Sequence, residues 1–313
     1  MLPRSIIWIL CLSLLASSVP AQTIKHVRTI DFDNVKGLKK AQNLLFGGKN
    51  AEAIRPSHIC RVGKDRYVVI DTIHRTVHLM DSTGRIKRKT EKAGKIRFLS
   101  PVSACADRFD NVYVSDSALG VVFMFDTELN FKKTFFAPTY RRITGISYAD
   151  GTFYLIDTMN HKILRLDHQG NLKNVIGSRG IRAGEFNFPT HLAMDSEHIY
   201  VTDAMNFRVQ IFDLKGRFIQ TFGTNGRGGG NFSKPKGIAV DSKGHIFVAD
   251  AMFDNVQVFN KKGDFLFYFG GPGQKNGQFW LPSVVIIDEN DSIWVADTYN
   301  SRIQIFRIED KVS

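Results

Sequence analysis

One phrase recurs six times along this chain, a β-rich triplet ending in aspartate. It reads Val69-Ile70-Asp71, Val114-Ser115-Asp116, Leu155-Ile156-Asp157, Val201-Thr202-Asp203, Val248-Ala249-Asp250 and Val295-Ala296-Asp297. Successive aspartates lie 45, 41, 46, 47 and 47 residues apart. A proline stands 14 or 15 residues ahead of five of them (Pro56, Pro101, Pro189, Pro235 and Pro282), and Ile143 takes that place in the short, divergent third copy. A fixed period of this length means that each copy is one supersecondary unit, stable only when its neighbours cover its apolar faces.

The fifth copy shows what the unit is. Gly237–Val240 is followed by an Asp-Ser-Lys-Gly turn, then His245–Ala249, a polar turn, Asn255–Phe259 and, after Asn260-Lys-Lys-Gly263, Asp264–Phe269. Asn255-Val-Gln-Val-Phe259 alternates with period two, as a half-buried strand does, and no stretch holds a helical period. Four antiparallel strands in each of six units predict an all-β fold, a six-bladed β-propeller. Outer strands are expected from Arg85, Leu129, Asn171, Arg217 and Asp264, whereas the sixth copy stops at Ile308 without one. The strand-like Thr23–Phe32 is free to complete it, closing the ring and removing an exposed edge.

Composition agrees with a globular domain. Hydrophobic residues make up 43% and charged residues 23%, which excludes a disordered chain, a collagen-like fibre and a polytopic membrane protein. Three cysteines exclude a disulfide-dense scaffold. Residues 1–21 read as a secretory signal peptide: Arg4, an apolar run from Ile6 to Ala16, and small residues suited to cleavage after Ala21. That run is too short to span a bilayer, which takes about 20 apolar residues. The expectation is a secreted or periplasmic protein whose residues 22–313 form one propeller, with no transmembrane segment after cleavage. Export counts against nucleic acid as its partner.

Pro235-Lys-Gly-Ile-Ala-Val-Asp-Ser-Lys-Gly-His-Ile-Phe-Val-Ala-Asp250 and Val295-Ala-Asp-Thr-Tyr-Asn-Ser-Arg-Ile-Gln-Ile-Phe306 resemble NHL repeats. The resemblance is strongest in copies four to six and weakest in copy three. It implies a propeller, in agreement with the strand count. It leaves function open, because NHL propellers bind RNA or proteins, serve as extracellular sensor domains and, in one lineage, form a metal-dependent peptidyl-hydroxyglycine lyase.

Features present in every copy are assigned to the fold. Each repeated aspartate opens the turn between second and third strands, where its carboxylate can accept backbone N–H bonds. Asn160, Asn206 and Asn300 are turn residues three positions later. Gly-x-Phe precedes copies four to six at Gly184–Phe186, Gly230–Phe232 and Gly277–Phe279, with Phe98 and Tyr140 in the same register. The aromatic is expected to plug the junction between blades.

Function is expected where the copies differ. Loops leading into the inner strands share one rim of the channel with the second-to-third-strand turns. The differing residues there are Arg55, His58, Arg97, Tyr140, Arg141, Arg142, Arg179, Arg182, His191, Arg227, Lys275 and Trp280. Arginines among aromatics at a concave mouth suit an anionic or glycan-like ligand. The lyase-type relative carries three histidines directly after the inner-strand prolines, where this chain has Ser57, Val102, Thr144, Thr190, Lys236 and Ser283. His58 and His191 fall one residue later, in opposite blades, and are the only metal candidates; a tetrahedral site usually needs three protein ligands. No nucleophile elbow, phosphate loop or Cys–His signature is present. Cys60 and Cys105, each four residues after its proline, read as small fillers, with a disulfide between adjacent inner strands as the alternative.

Two readings follow. The first is an exported binding or scaffold module, without cofactor or catalytic residues, for a protein, peptide or anionic glycan at the channel rim. The second is an extracellular metal-dependent lyase or hydrolase built on His58 and His191. The net charge of +12 bears on the first and is lopsided. Residues 22–142 hold 23 Lys/Arg against 12 Asp/Glu, while residues 143–313 hold 18 of each. One sector of the ring should therefore attract anionic surfaces, although its densest run, Arg85–Lys95, also fits a solvated outer strand that resists edge pairing.

Overall fold

The computed structural model describes residues 22–33, 53–136 and 141–310; residues 1–21, read as a signal peptide, and Tyr140 lie outside the described residues. Six four-stranded antiparallel sheets form the blades of a propeller. Inner strands are His58–Val62, Pro101–Ala106, Ile143–Ala149, Pro189–Met194, Pro235–Val240 and Val285–Ile287. Outer strands of blades one to five are Ile86–Thr90, Phe131–Phe136, Leu172–Ile176, Phe218–Phe222 and Phe265–Gly270. Gln22–Asp31 is the outer strand of blade six, antiparallel to Arg302–Asp310 from Asp31↔Arg302 to Gln22↔Asp310, with one register shift between His26 and Arg28. The ring closes as expected, and the last blade has four strands like the others.

The apolar faces do not meet inside blades but between them. Six separate clusters of buried residues each draw on two neighbouring blades. The cluster between blades four and five, for example, joins Tyr200, Val209 and Ile211 to Phe232, Ile246, Val248 and Phe259. The repeated phenylalanines sit in these junctions as expected. Phe186, Phe232 and Phe279 are fully buried. Their rings lie 5.5, 5.6 and 5.7 Å from Phe212, Phe259 and Phe306, the aromatic that ends each third strand's apolar run. A glycine ending the preceding outer strand makes room for each ring. Gly223 has φ +87°, and a Cβ there would stand 2.4 Å from the Phe232 ring, so position and conformation both require glycine.

The six repeated aspartates are all fully buried. Each carboxylate ties the loop before the inner strand to the turn after the second strand. Asp116 accepts N–H bonds from Leu99 and Ser100 on the first loop and from Ala118 and Leu119 on the turn. Asp71 is bound by Arg55 N–H and His74 N–H, and Asp250 by Ser233, Lys234 and Met252 N–H. Asn160, Asn206 and Asn300 donate back to Asp157, Asp203 and Asp297.

Blades four and six add a buried cation. Arg208 Nε donates to Asp203 at 2.8 Å and Arg302 Nε to Asp297 at 2.6 Å. The far side of each guanidinium donates to three carbonyls of the preceding loop: Ile181, Arg182 and Glu185 in one blade, Gln274, Lys275 and Gln278 in the other. A glutamine two residues on completes the clamp. Gln210, Gln257 and Gln304 each accept from the Gly-x-Phe glycine N–H and donate to the carbonyl of the residue after it. The sequence pattern shows these glutamines only as strand residues of the alternating type.

Removing one member of a buried ion pair strands the other, at a cost of about 3–5 kcal/mol. Losing an acceptor for backbone N–H groups costs about 1–3 kcal/mol. Asp203→Ala is therefore expected to lower the urea unfolding midpoint more than Asp250→Ala, which has no arginine behind it. Equal losses would show that the Arg208 pairing adds nothing.

Candidate functional site

Two places on the molecule concentrate chemistry, the channel between the inner strands and the rim where the prolines enter it. In the channel, His58 and His191 stack face to face, ring centres 6.5 Å apart and planes within 15°. His58 Nε2–H donates to the Ala104 carbonyl at 2.9 Å, which leaves its Nδ1 a bare lone pair. Nδ1 of both rings is buried without a partner. Burial lowers the proton affinity of both, His58 to about 4 and His191 to about 3, with His58 and Lys236 further lowering His191. Burial and the neighbouring Lys234 also depress Lys236. Both imidazoles are neutral at pH 7.

The pair borders a cavity of about 190 Å³ that runs along the inner strands past Cys60, Cys105, Ile146 and Tyr148. Its lining begins at the second inner-strand position after the prolines, so it lies on the far side of the histidines from the arginine rim. Cys60 and Cys105 are buried free thiols. Desolvation raises both, Cys60 to about 12 and Cys105 well above its ordinary range, so neither is a thiolate nucleophile. They pack in consecutive junctions, between blades one and two and between blades two and three, as the small-filler reading expects. Among the described residues no three His, Cys, Asp or Glu side chains come together as a metal set.

The rim residues singled out from sequence are dispersed around the ring. Arg141 Nη1 pairs with buried Asp157 at 3.0 Å, and exposed Arg97 pairs with Glu91. Arg142, Arg179, Arg182, Arg227 and Lys275 are exposed. Arg182 and Lys275 lend carbonyls to the buried arginine clamps. One group does converge, at the boundary of blades six and one. The Trp280 and Tyr299 rings lie 5.6 Å apart, and the Arg55 guanidinium stands 6.0 Å from the Tyr299 ring, within the range of a cation–π contact.

Sequence reading passed over the most regular feature of the rim. The residue two positions after the repeated aspartate is a large apolar side chain in five blades: Ile73, Met159, Met205, Met252 and Tyr299, each between 38% and 57% exposed. Leu99, Phe188 and Trp280, from the loops bound to the same carboxylates, are exposed beside them. The signal was in the repeat, because a position that is polar in an ordinary turn is apolar here in blade after blade. Phe188 is displayed by a backbone in the left-handed region, φ +52°, which a bulky residue seldom adopts. His161 of the preceding blade holds it there, accepting the Phe188 N–H at Nδ1 (3.0 Å) with the rings 4.7 Å apart. Asp254 accepts the Leu281 N–H in the same way two junctions later, where φ is +52°.

Comparisons with known proteins agree with the fold. The family described as 6-bladed beta-propeller matches residues 139–206 and 192–252, and the NHL repeat family matches residues 279–306. No curated protein matches the sequence. Among solved structures, a gluconolactonase from Xanthomonas campestris is 13% identical, with 92% of this chain and all of that chain covered, at a TM-score of 0.64. A streptogramin B lyase is 11% identical, with 92% and 98% covered, at 0.62. A protein of unknown function from Bacteroides thetaiotaomicron is 14% identical, with 92% and 76% covered, at 0.66. At such identities the likeness is one of fold.

The neutral histidines set a pH dependence. A base whose folded affinity lies below its unfolded value near 6.5 favours the native state at neutral pH. That stability is lost as pH falls from about 6.5 towards 4 for His58 and 3 for His191. The loss is on the order of 3 kcal/mol for His58. Chemical denaturation of the wild type between pH 7 and 4.5 should show the decline, and the His58→Gln/His191→Gln variant should flatten it; parallel curves would refute the assignment.

Proposed function

We propose that this NHL-type six-bladed propeller is an exported binding module that holds a protein or peptide on the rim where its inner strands begin. The observation that carries the reading is the apolar collar of Ile73, Met159, Met205, Met252 and Tyr299, repeated at one turn position around the ring. A large apolar side chain left exposed at the same turn in five of six blades rings one rim with apolar groups, and apolar groups gathered on one face mark an interaction surface. Methionine suits it, because three flexible side-chain bonds and a polarisable sulfur adapt to a partner's shape. Arg55, Arg142 and Arg179 add cations to the same loops, and the arrangement of aromatic, methionine and arginine matches the composition of interface centres. The partner this surface recognises is therefore apolar with an acidic border. The signal-like residues 1–21 place the encounter outside the cytoplasm, in the periplasm or the medium.

The test is to pan a displayed random peptide library against the full propeller and measure the recovered peptides on the Met205→Asp/Met252→Asp variant. Both methionines are more than half exposed, so the variant keeps the fold. Recovered peptides should be apolar and acidic, bind the variant at least about tenfold more weakly, and lose affinity as salt is raised. Peptides that bind the variant and the wild type alike would refute the collar as the site. For export, the protein recovered from outside the cytoplasm should begin at Gln22 by intact mass; retention of residues 1–21 would refute cleavage there.

The near-parallel imidazoles of His58 and His191, each with a buried Nδ1 that has no partner, favour a second reading, a metal-dependent lyase or hydrolase of the channel. Metal analysis of the purified protein separates the two: a stoichiometric, tightly held zinc ion lost in His58→Gln would favour the enzyme.

A further inference from the structure

The clamp behind the repeated aspartate is incomplete in one blade of the three that share its loop. Residues 178–186, 224–232 and 271–279 are equivalent loops, each ending in the buried phenylalanine. In blades four and six an arginine and an asparagine fill the space beneath. Arg208 and Arg302 cap three carbonyls each, while Asn206 and Asn300 cap Gly180 and Gly273. In blade five the arginine position is Asn255 and the asparagine position is Phe253. Neither reaches the loop. Among the described residues no side chain donates to the carbonyls of Gly226, Arg227 or Gly228, and the only clamp bonds are those of Gln257.

A hollow of about 270 Å³ stands there, lined by Arg227, Gly228, Phe253, Asn255 and Tyr268 among others. Asn255 is 91% buried, and its Oδ1 has no partner. Behind it is the fully buried Asp250, its cross-strand partner, bound only by backbone N–H groups. The neighbouring blades thus show what this space accepts. Among the described residues the Arg227 carbonyl takes no hydrogen bond and the Asn255 amide oxygen is unpaired, with the cation-free Asp250 carboxylate behind them, and two aromatic rings stand at the wall of the hollow. A guanidinium offers five donors in one plane and stacks on aromatic faces, whereas an ammonium cannot span the same acceptors. Arg227 is the one cationic residue in the lining, and it is exposed.

We propose that the blade-five hollow is a receptor for a guanidinium group, the side chain of an arginine presented by a peptide or protein partner. The guest takes the place that Arg208 and Arg302 occupy covalently in the adjoining blades. The site is independent of the apolar collar, since its lining includes none of the collar side chains and its probe is a single residue.

Isothermal titration of the full propeller with acetyl-arginine amide, and with the citrulline and lysine analogues, tests it. Saturable binding of the arginine compound is expected, weaker by about tenfold or more for citrulline, which has the shape without the charge. Asn255→Arg fills the hollow from within and should abolish binding. Asn255→Asp adds a carboxylate and should tighten it, which keeps the test decisive if the arginine variant folds poorly. Agmatine, lacking the peptide groups, distinguishes a small-molecule amine from a peptide side chain: stronger binding of agmatine than of acetyl-arginine amide would overturn the assignment to a peptide. No saturable binding by the wild type, equal binding of citrulline, or undiminished binding by folded Asn255→Arg would overturn the site itself.

Discussion

Each blade of this propeller depends on a carboxylate with no exposed surface. A buried anion is expensive unless donors surround it, and here each carboxylate takes a backbone N–H from the loop before the inner strand and, from the turn, either backbone N–H groups or the side-chain amide of an asparagine. Asp116 takes four backbone N–H groups, two from the loop before the inner strand and two from the turn after the second. The interaction therefore fixes a loop that lies 16 or 17 residues ahead of the aspartate against the turn that the aspartate opens. Everything displayed on the rim is displayed by those loops. The collar is regular because each of its turns is anchored on the same atom pair.

That dependence also explains where the blades are free to differ. Once the loop before the inner strand is tied to the carboxylate, its other partners vary from blade to blade. Blade four uses Asn206, Arg208 and Gln210 around Asp203, and blade six repeats the set with Asn300, Arg302 and Gln304 around Asp297. Blade three replaces the buried arginine by Arg141 from the loop itself, and blade one uses His74, whose Nδ1 meets Asp71 at 2.5 Å. Blade five keeps only the glutamine. The same anchor thus tolerates a filled, a half-filled and a hollow clamp.

Repeat spacing made the fold legible, including the ring closure, because six copies with five outer strands leave one strand to be supplied and Thr23–Phe32 is the segment free to supply it. The roles of the buried aspartates and phenylalanines were legible for the same reason, since a residue in every copy serves what every copy needs. The collar was hidden by that logic. Ile73, Met159, Met205, Met252 and Tyr299 share a position but not an identity, so they look neither repeated nor singular, and only their exposure shows that they are a surface. The rim arginines looked like one constellation because their loops share a face. Sequence spacing carries no angle around the ring, and the charges are spread over several blades. The basic run on the outer strand of blade one is solvent-exposed across Ile86–Lys89, with Lys87 paired to Asp81 and Lys89 to Glu91, as befits an edge that resists pairing.

The channel and the rim also differ in what they can recognise. The channel cavity is small, its two imidazoles are held neutral by burial, and its thiols are held protonated, so it presents lone pairs and apolar walls rather than charge. An extended partner would have to thread the ring to reach it. The collar faces outward and carries flexible apolar side chains, with Arg55, Arg142 and Arg179 on neighbouring loops of the same rim. Charge of one sign concentrated in one sector orients an approaching acidic surface before contact, and apolar burial then sets how long it stays. The buried aspartates tie the collar's turns to the loops before the inner strands, so little ordering remains to be done when a partner arrives.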